Sequence, residues 1–171
     1  MQKIPRTLFA LHTGLRDQEI YGLRWDWEHD VKGLHTTVFV IPETEIKHGR
    51  ERIVPLNTVA RSIVASRRGN GSEWVFDLDG QKVSRMNDEA WRKAREAAGL
   101  QPVPVHDLRH TFGMPLRAAG VSLEDRQDSL SHHVGRITTH YSRVEIVRLI
   151  ECVELLCVEE KRPEITLVKR A

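Results

Sequence analysis

Apolar residues recur at helical spacing over most of the chain, with a strand-like stretch near the front. Residues 4–23 carry leucine and isoleucine about three or four apart, which predicts helix, and Gly14 marks a bend or a gap between two short helices. Residues 36–41 and 52–56 are rich in β-branched residues and predict the strands of a hairpin with its tip at 48–50. Further elements are predicted as helices over 58–68, 84–98, 106–119, from 122 and within 136–158, and as a short extended piece over 73–76.

Small polar residues and glycines stand where these helices are expected to begin and end. Asn57 or Thr58 can cap one helix start, and Gly99 and Gly120 can close two helix ends. Residues 122–125 resemble a capping box. Because the elements are mostly helical with a small hairpin near the front, the predicted fold class is α+β, with a small antiparallel sheet near the N-terminal side.

The composition limits the class of protein but does not identify its function. With 171 residues, 40% of them apolar and 29% charged, the chain is expected to form one soluble globular domain. A net charge of +2 permits nucleic-acid binding without arguing for it. No stretch has the pattern of a signal peptide or a membrane span, so a cytoplasmic protein is expected. Cys152 and Cys157 are interpreted as buried, reduced thiols of such a protein.

The segment from His106 to Tyr141 carries the side chains with the most chemistry. His106 and Arg109 lie three apart on a predicted helix and should face one side of it. An arginine fork matches phosphate oxygens, and the Tyr141 hydroxyl can form a covalent intermediate with a stabilised phosphoryl group. His132 adds a second imidazole that can move protons. On its own, a His-x-x-Arg pair also fits a solvated helix face.

Two further cations lie upstream. Arg16 follows the bend at Gly14, and Glu19 can hold it in place, although such a pair is often purely structural. Lys47 lies just before the expected hairpin tip. A hairpin lysine commonly just blocks pairing between sheet edges, but its flexible ammonium can also reach a leaving oxygen.

In series, these segments resemble the catalytic domain of the tyrosine recombinases, the phage integrase family. Any one motif is weak, but their order and spacing fit the family from about residue 6 to about residue 158. The resemblance implies the catalytic-domain fold of that family, mostly helical with a small antiparallel sheet. The matching motifs are TGLR at 13–16, Lys47 with VPL at 54–56, HDLRHTF at 106–112, LSH at 130–132 and TTHY at 138–141.

The resemblance implies site-specific DNA recombination, in which strands are cleaved and rejoined through a 3′-phosphotyrosine intermediate. Tyr141 is the implied nucleophile that attacks a DNA phosphodiester. Arg16 and Arg109 are implied to clamp the non-bridging oxygens and to stabilise the charged transition state. His132 is implied to help hold the phosphate.

The remaining implied roles concern protons and partners. His106 assists proton transfer at the tyrosine, and Lys47 protonates the leaving 5′-oxygen. No metal and no nucleotide cofactor is expected, because cations replace the metal and the covalent link conserves the phosphodiester energy. The implied partners are double-stranded DNA and, on DNA, further copies of the chain, a tetramer in the family. A bacterial or phage origin is expected, with no membrane partner and no small-molecule substrate.

Three positions depart from the family pattern between the clamp and the nucleophile. Ser131 stands where the family usually has glycine, His133 where most members carry a small or polar residue, and Pro115 inside a predicted helix. An interior proline costs ~3 kcal/mol and would kink the helix or end it early. A positive φ would strain Ser131 by ~1–2 kcal/mol. We hypothesise that the fold survives with reduced activity; a Pro115→Arg, Ser131→Gly double variant that cleaves DNA no faster than the parent contradicts this.

The whole chain, 1–171, is interpreted as a single catalytic domain with residues 159–171 as a tail. From the family pattern we expect the first helix of that domain and the N-terminal DNA-clamping domain to be absent, and hence DNA binding to be weak and strongly salt-dependent. Residues 145–160 predict an amphipathic helix, either buried against its own domain or contacting a neighbouring subunit. Basic clusters at 67–68 and 92–95 fit either solvated faces or DNA contacts.

Other classes of protein share parts of this pattern. A catalytically impaired remnant of a prophage integrase would keep the fold and act at most as a DNA-binding protein. A type IB topoisomerase shares the chemistry but usually differs in the surrounding motifs. A zinc site of histidines and the two cysteines is disfavoured, because the spacing matches no compact metal pattern.

Overall fold

The computed structural model describes residues 3–46, 51–83, 88–100, 103–130 and 142–158. Within these ranges two helices lead into a sheet, and a third helix, a short hairpin and four more helices follow. This arrangement confirms the predicted α+β class with a small antiparallel sheet in the N-terminal part. The elements are α1 Lys3–Thr13, α2 Asp17–Tyr21, β1 Glu28–Val31, β2 Thr36–Ile41, β3 Arg52–Pro55, α3 Thr58–Arg67, β4 Asp77–Leu78, β5 Gln81–Lys82, α4 Asp88–Ala97, α5 Asp107–Ala118, α6 Leu123–Ser129 and α7 Arg143–Glu154, with single 3-10 turns at Trp25–Trp27, Glu43–Glu45 and Leu155–Cys157.

Gly14 separates α1 from α2, as the sequence predicts. Its φ of 61° lies in the left-handed region, which side chains with a Cβ rarely adopt. The position is also crowded, because a Cβ there would lie 2.6 Å from Phe112 Cδ1 and 2.9 Å from Leu130 Cδ2. The backbone of the α1–α2 connection therefore packs directly against α5 and the end of α6.

The central sheet has three antiparallel strands in the order β1-β2-β3. The predicted pairing of 36–41 with 52–56 is confirmed, with Phe39 opposite Val54. The tip predicted at 48–50 lies outside the described residues. The prediction of two strands was incomplete, because β1 pairs with the other edge of β2, Glu28 opposite Phe39. Only the last residue of β1, Val31, is buried. Because the other residues of this edge strand are polar, β1 lacks the alternation of apolar and polar residues that predicts a strand.

Alternation along β2 and β3 divides the interior into two layers. Phe39 and Val54 face the main core, which α1, α3 and the segment around Phe76 complete. Val38 and Ile53 point to the opposite face, where Ile150 of α7 covers them. Because successive strand residues face opposite ways, one short sheet supports both layers. A third cluster joins α5 to α7 through Phe112, Leu116, Val121 and Val153.

Most predicted helix ends are confirmed. Asn57 caps α3, and its side-chain oxygen accepts a hydrogen bond from the Ala60 N–H at 2.9 Å. Gly99 and Gly120 follow α4 and α5 with positive φ. The hydroxyl of Ser122 caps α6. The start predicted for α4 at residue 84 and the tail from 159 lie outside the described residues.

Pro115 does not end α5, contrary to one of the two expected effects. The helix continues to Ala118, and the Ala119 N–H still donates to the Pro115 carbonyl at 2.8 Å. The carbonyl that loses its donor belongs to Thr111, one turn earlier on an exposed position where water can bind it. Ser131 and His133, the other two departures, lie outside the described residues.

The C-terminal part of the described chain tests two further expectations. Cys152 and Cys157 are free thiols, each partly rather than fully buried. Leu149, Ile150 and Val153 of α7 are buried, which favours packing of this amphipathic helix against its own domain. No helix in the described part of the chain is long and apolar enough to cross a membrane.

Candidate active site

Three arginines from distant parts of the chain converge beside the loop between α1 and α2. Arg16 lies in that loop and caps α2, Arg52 opens β3, and Arg109 lies in the first turn of α5. Their common neighbours are the Glu19 carboxylate and the Gly14 carbonyl. The fold thus brings together the two arginines that the sequence predicts, and it adds a third.

Glu19 joins Arg16 to Arg52. Its Oε1 accepts a hydrogen bond from Arg16 Nη1 at 2.8 Å, which confirms the predicted ion pair. Its Oε2 accepts from the Arg16 backbone N–H at 2.7 Å and from Arg52 Nη1 at 2.5 Å. The contact with the Arg16 backbone N–H is the N3 half of a capping box, so the start of α2 orients the carboxylate.

Arg109 is held by backbone carbonyls. Its guanidinium is buried and donates from Nη1 to the Gly14 carbonyl and from Nη2 to the Leu130 carbonyl. Leu130 follows directly on α6, so its carbonyl lies at the negative end of a helix. An arginine has five N–H donors in a fixed fork, and these two contacts set the direction of the others.

Arg52 is the residue that sequence analysis missed, since it was interpreted only as part of a strand. Its side chain is fully buried. Besides Glu19, it reaches the Ser129 carbonyl at 3.1 Å and the Gly14 carbonyl at 3.4 Å. A signal was present, because a charged residue in a strand of otherwise buried positions needs an internal partner.

The cluster carries more positive than negative charge. Burial alone would raise the pKa of Glu19, but the charge of Arg52 and the hydrogen bonds and charge of Arg16 outweigh it and hold the pKa below its usual range. Burial lowers the pKa of Arg109, and the nearby positive charges of Arg52 and Arg16 lower it further. One carboxylate among three guanidinium groups leaves a field that favours an anion.

His106 takes a different position from the arginines. It is exposed at the start of α5, whereas Arg109 is buried. The two side chains were expected to face the same side of the helix, but they lie in different surroundings. Its ring packs edge-on against His110, with centroids 5.2 Å apart. The Arg109 backbone N–H donates to the His106 carbonyl at 3.1 Å, but within the described ranges no hydrogen bond joins the His106 ring to the three arginine side chains.

Three predicted site residues, Lys47, His132 and Tyr141, lie outside the described residues. The chain on either side of them is described. Leu130, the last described residue before His132, contacts Arg109, and α7 begins two residues after Tyr141. The Ser142 hydroxyl caps that helix by accepting a hydrogen bond from the Glu145 N–H.

Arginines of both predicted basic clusters bind polar groups within the domain. Arg67 binds Asp77 at 2.8 Å and Arg68 binds Glu28 at 2.7 Å. In the other cluster, the Arg95 guanidinium donates to the Val103 carbonyl at 2.7 Å. Among the described histidine, cysteine, aspartate and glutamate residues, no group of three is arranged to hold a metal ion.

Comparison with known proteins agrees with this arrangement. Residues 3–146 match the model of the phage integrase family. The integrase of Salmonella phage P22 is 35% identical over 136 residues, covering 70% of this chain and 33% of that protein. Tyrosine recombinase XerC of Pelobacter propionicus is 28% identical over 126 residues, covering 69% and 42%. Tyrosine recombinase XerD of Listeria monocytogenes is 29% identical over 161 residues, covering 86% and 51%. The chain thus spans about a third to a half of the length of these relatives, and it belongs to the phage integrase family.

Proposed function

We propose that this chain carries out site-specific DNA strand cleavage and rejoining, as the catalytic part of a tyrosine recombinase. The observation that carries the proposal is the convergence of Arg16, Arg52 and Arg109 on one carboxylate and one backbone carbonyl. Their surplus positive charge suits a phosphodiester, which arginine forks bind through two parallel hydrogen bonds. Relatives named integrase and tyrosine recombinase support the same class of reaction.

In the proposed reaction, the Tyr141 oxygen attacks the phosphorus of a DNA phosphodiester. The bond from tyrosine oxygen to phosphorus forms as the bond from phosphorus to the 5′-oxygen breaks, leaving a 3′-phosphotyrosine and a free 5′-hydroxyl. His106 assists removal of the tyrosine proton, and Lys47 gives a proton to the 5′-oxygen. Rejoining reverses these steps, so the bond energy is conserved and no nucleotide is consumed.

The two arginines act as a clamp on the non-bridging oxygens. Arg109 is oriented by two carbonyls and Arg16 by Glu19, so their orientation does not depend on bound DNA. Such preorganised charge stabilises a transition state strongly, because little has to reorient as charge develops. His132 is proposed to hold the same phosphate.

Double-stranded DNA is the proposed substrate, and further copies of the chain are proposed to assemble on it. Because each bound phosphate releases counterions, affinity for a duplex is expected to fall steeply as salt rises. Titration of a fluorescent duplex at several salt concentrations measures this slope. A flat profile contradicts binding through phosphate contacts.

Trapping of a covalent complex tests the reaction. The protein is incubated with a duplex that carries a nick close to the cleavage site. After cleavage, the short fragment with the free 5′-hydroxyl diffuses away, so the phosphotyrosine bond cannot be reversed. We expect a protein–DNA band that survives denaturation and is absent for Tyr141→Phe. A duplex that binds normally but gives no band contradicts the enzyme and favours the DNA-binding remnant. Relaxation of supercoiled plasmid without recombination would instead favour the topoisomerase.

A further inference from the structure

We propose that Arg52 is a positioning residue, which sets the distance and orientation between Arg16 and Arg109. The inference rests on the proposed function and extends it to a residue that no motif identifies. Arg52 is fully buried, so it acts on a phosphate through its neighbours and not by contact. It holds the two arginines of the clamp in a fixed position relative to each other.

The contacts of Arg52 run to both sides of the site. On one side Nη1 binds the Glu19 carboxylate at 2.5 Å, and the same carboxylate holds Arg16. On the other side Nη2 binds the Ser129 carbonyl at 3.1 Å, one residue before the carbonyl that holds Arg109. One planar group thus connects α2, where the first clamp residue is fixed, to the end of α6, where the second is fixed.

The Gly14 carbonyl links the two arginines more directly. It accepts from Arg52 Nη2 at 3.4 Å and also from Arg109 Nη1. Any shift of the Arg52 guanidinium therefore moves an acceptor that Arg109 uses. Because rate depends steeply on the placement of charged groups at a reacting phosphate, small shifts are expected to slow cleavage.

The substitution Arg52→Lys separates the effect of side-chain shape from the effect of charge. It keeps one positive charge, but a single ammonium on a flexible stem cannot reproduce a fork that reaches Glu19 and Ser129 together. A role limited to charge balance predicts that Arg52→Lys behaves like the parent. A positioning role predicts a loss of clamp geometry with the charge retained.

The first measurement is the rate of covalent complex formation at saturating DNA. For Arg52→Lys we expect a rate about 10–100-fold lower, the range found when a group that orients a metal ligand is removed. Affinity for the same duplex should change by less than about 3-fold, since the phosphate contacts along the duplex remain. The matched control is Arg61→Lys, which alters a partly buried arginine that also donates to a carbonyl, that of Leu56, and pairs with a carboxylate, that of Glu154. An Arg52→Lys rate equal to that of the control overturns the proposal.

A substrate with sulfur at the 5′-bridging position distinguishes positioning of the clamp from protonation of the leaving group. A thiolate leaves without a proton, so this substrate should rescue Lys47→Ala. Arg52→Lys should remain slow on it, because the defect lies at the non-bridging oxygens. Rescue of both variants to the same extent overturns the positioning role.

A binding measurement decides the matter independently of catalysis. Inorganic phosphate is titrated into the protein by calorimetry, and Arg52→Lys should bind it about 10-fold more weakly than the parent. Equal affinity overturns the inference even if the parent cleaves DNA. If the parent forms no covalent complex, the proposed function fails, while the phosphate titration still tests whether Arg52 sets the anion site.

A second variant guards against loss of folding. Glu19→Gln with Arg52→Met removes both charges of the Arg52–Glu19 pair at similar volume, so neither member of that pair is left charged without the other. Circular dichroism should show a folded protein, and covalent complex formation should still be slow. A folded double variant with the parental rate contradicts the proposal.

Discussion

Two buried carboxylates, Glu19 and Asp77, are each held by arginine, yet their surroundings differ in kind. Asp77 accepts hydrogen bonds from Arg67, from the Asn70 amide and from the Gly80 N–H, so it closes a turn with mostly neutral donors. Burial would raise the pKa of Asp77, and the Gly80 and Asn70 hydrogen bonds together with Arg67 lower it. Glu19 has charged side-chain partners, and a further arginine lies beyond them. The surroundings of Asp77 therefore nearly balance its charge, whereas those of Glu19 carry a surplus of positive charge, which the proposed function assigns to a phosphate.

The largest effect is expected from removing Arg109, the buried arginine of the proposed clamp. If the clamp acts as proposed, Arg109→Met should lower the rate of covalent complex formation by about 10²–10³-fold, because a preorganised donor to the transition state is lost. Single-turnover cleavage of the nicked duplex measures it. Asp77→Asn, at the other carboxylate, is expected to leave the rate per folded molecule unchanged. Similar losses in both variants would erase the distinction between the clusters.

Gly14→Ala tests whether the loop carrying the shared carbonyl tolerates a side chain. We expect destabilisation of about 2–4 kcal/mol, the sum of left-handed strain and overpacking against Phe112. Urea unfolding measures the free energy. The matched control is Gly120→Ala, which has a positive φ but no atom within 4 Å of the added Cβ. Equal costs for both variants would show that the packing against Phe112 is not limiting.

Acid should reduce the stability that Glu19 and Asp77 each contribute, because the pKa of both carboxyl groups lies below its usual range. The pKa of Glu19 is held below the ordinary value of 4.5, so the stability from its ionised form is complete above that pH and is lost as the pH falls through the lower folded value. The gap in unfolding free energy between parent and Glu19→Gln should therefore narrow as the pH falls from 7 to 3. Urea unfolding at each pH measures the gap. A gap that widens in acid contradicts the depressed pKa.

The smallest effect is expected from a free anion. Phosphate at millimolar concentration should raise the melting temperature by about 1–4 °C, because it binds the folded state and relieves repulsion among the arginines. Differential scanning fluorimetry with and without phosphate measures the shift. Arg109→Met should lose the shift and Asp77→Asn should keep it. A shift of the same size in both variants would place the anion elsewhere.

Sequence reasoning recovered what depends on local pattern. The gap at Gly14, the cap at Asn57 and the pairing of β2 with β3 each follow from a few neighbouring residues. Strand β1 was missed because an edge strand that faces water carries almost no apolar signal.

The site was recovered only in part. The Arg16–Glu19 pair follows from spacing on one helix turn, and the structure bears it out. The role of Arg52 depends on partners 33 and 77 residues away, and no local pattern reports such distances. His106 was expected beside Arg109 from a three-residue spacing, but the start of a helix leaves it exposed.

The Gly14 carbonyl has a consequence for how the protein reaches its working state. It binds Arg109 across 95 residues and Arg52 across 38, so the site closes only when distant segments have met. Contacts between segments far apart along the chain form slowly, because the chain loses entropy on closing long loops before these contacts contribute to stability. We therefore expect the helices and the hairpin to form early and the proposed anion site to close late in folding. During refolding, recovery of phosphate binding should therefore lag behind recovery of helical circular dichroism.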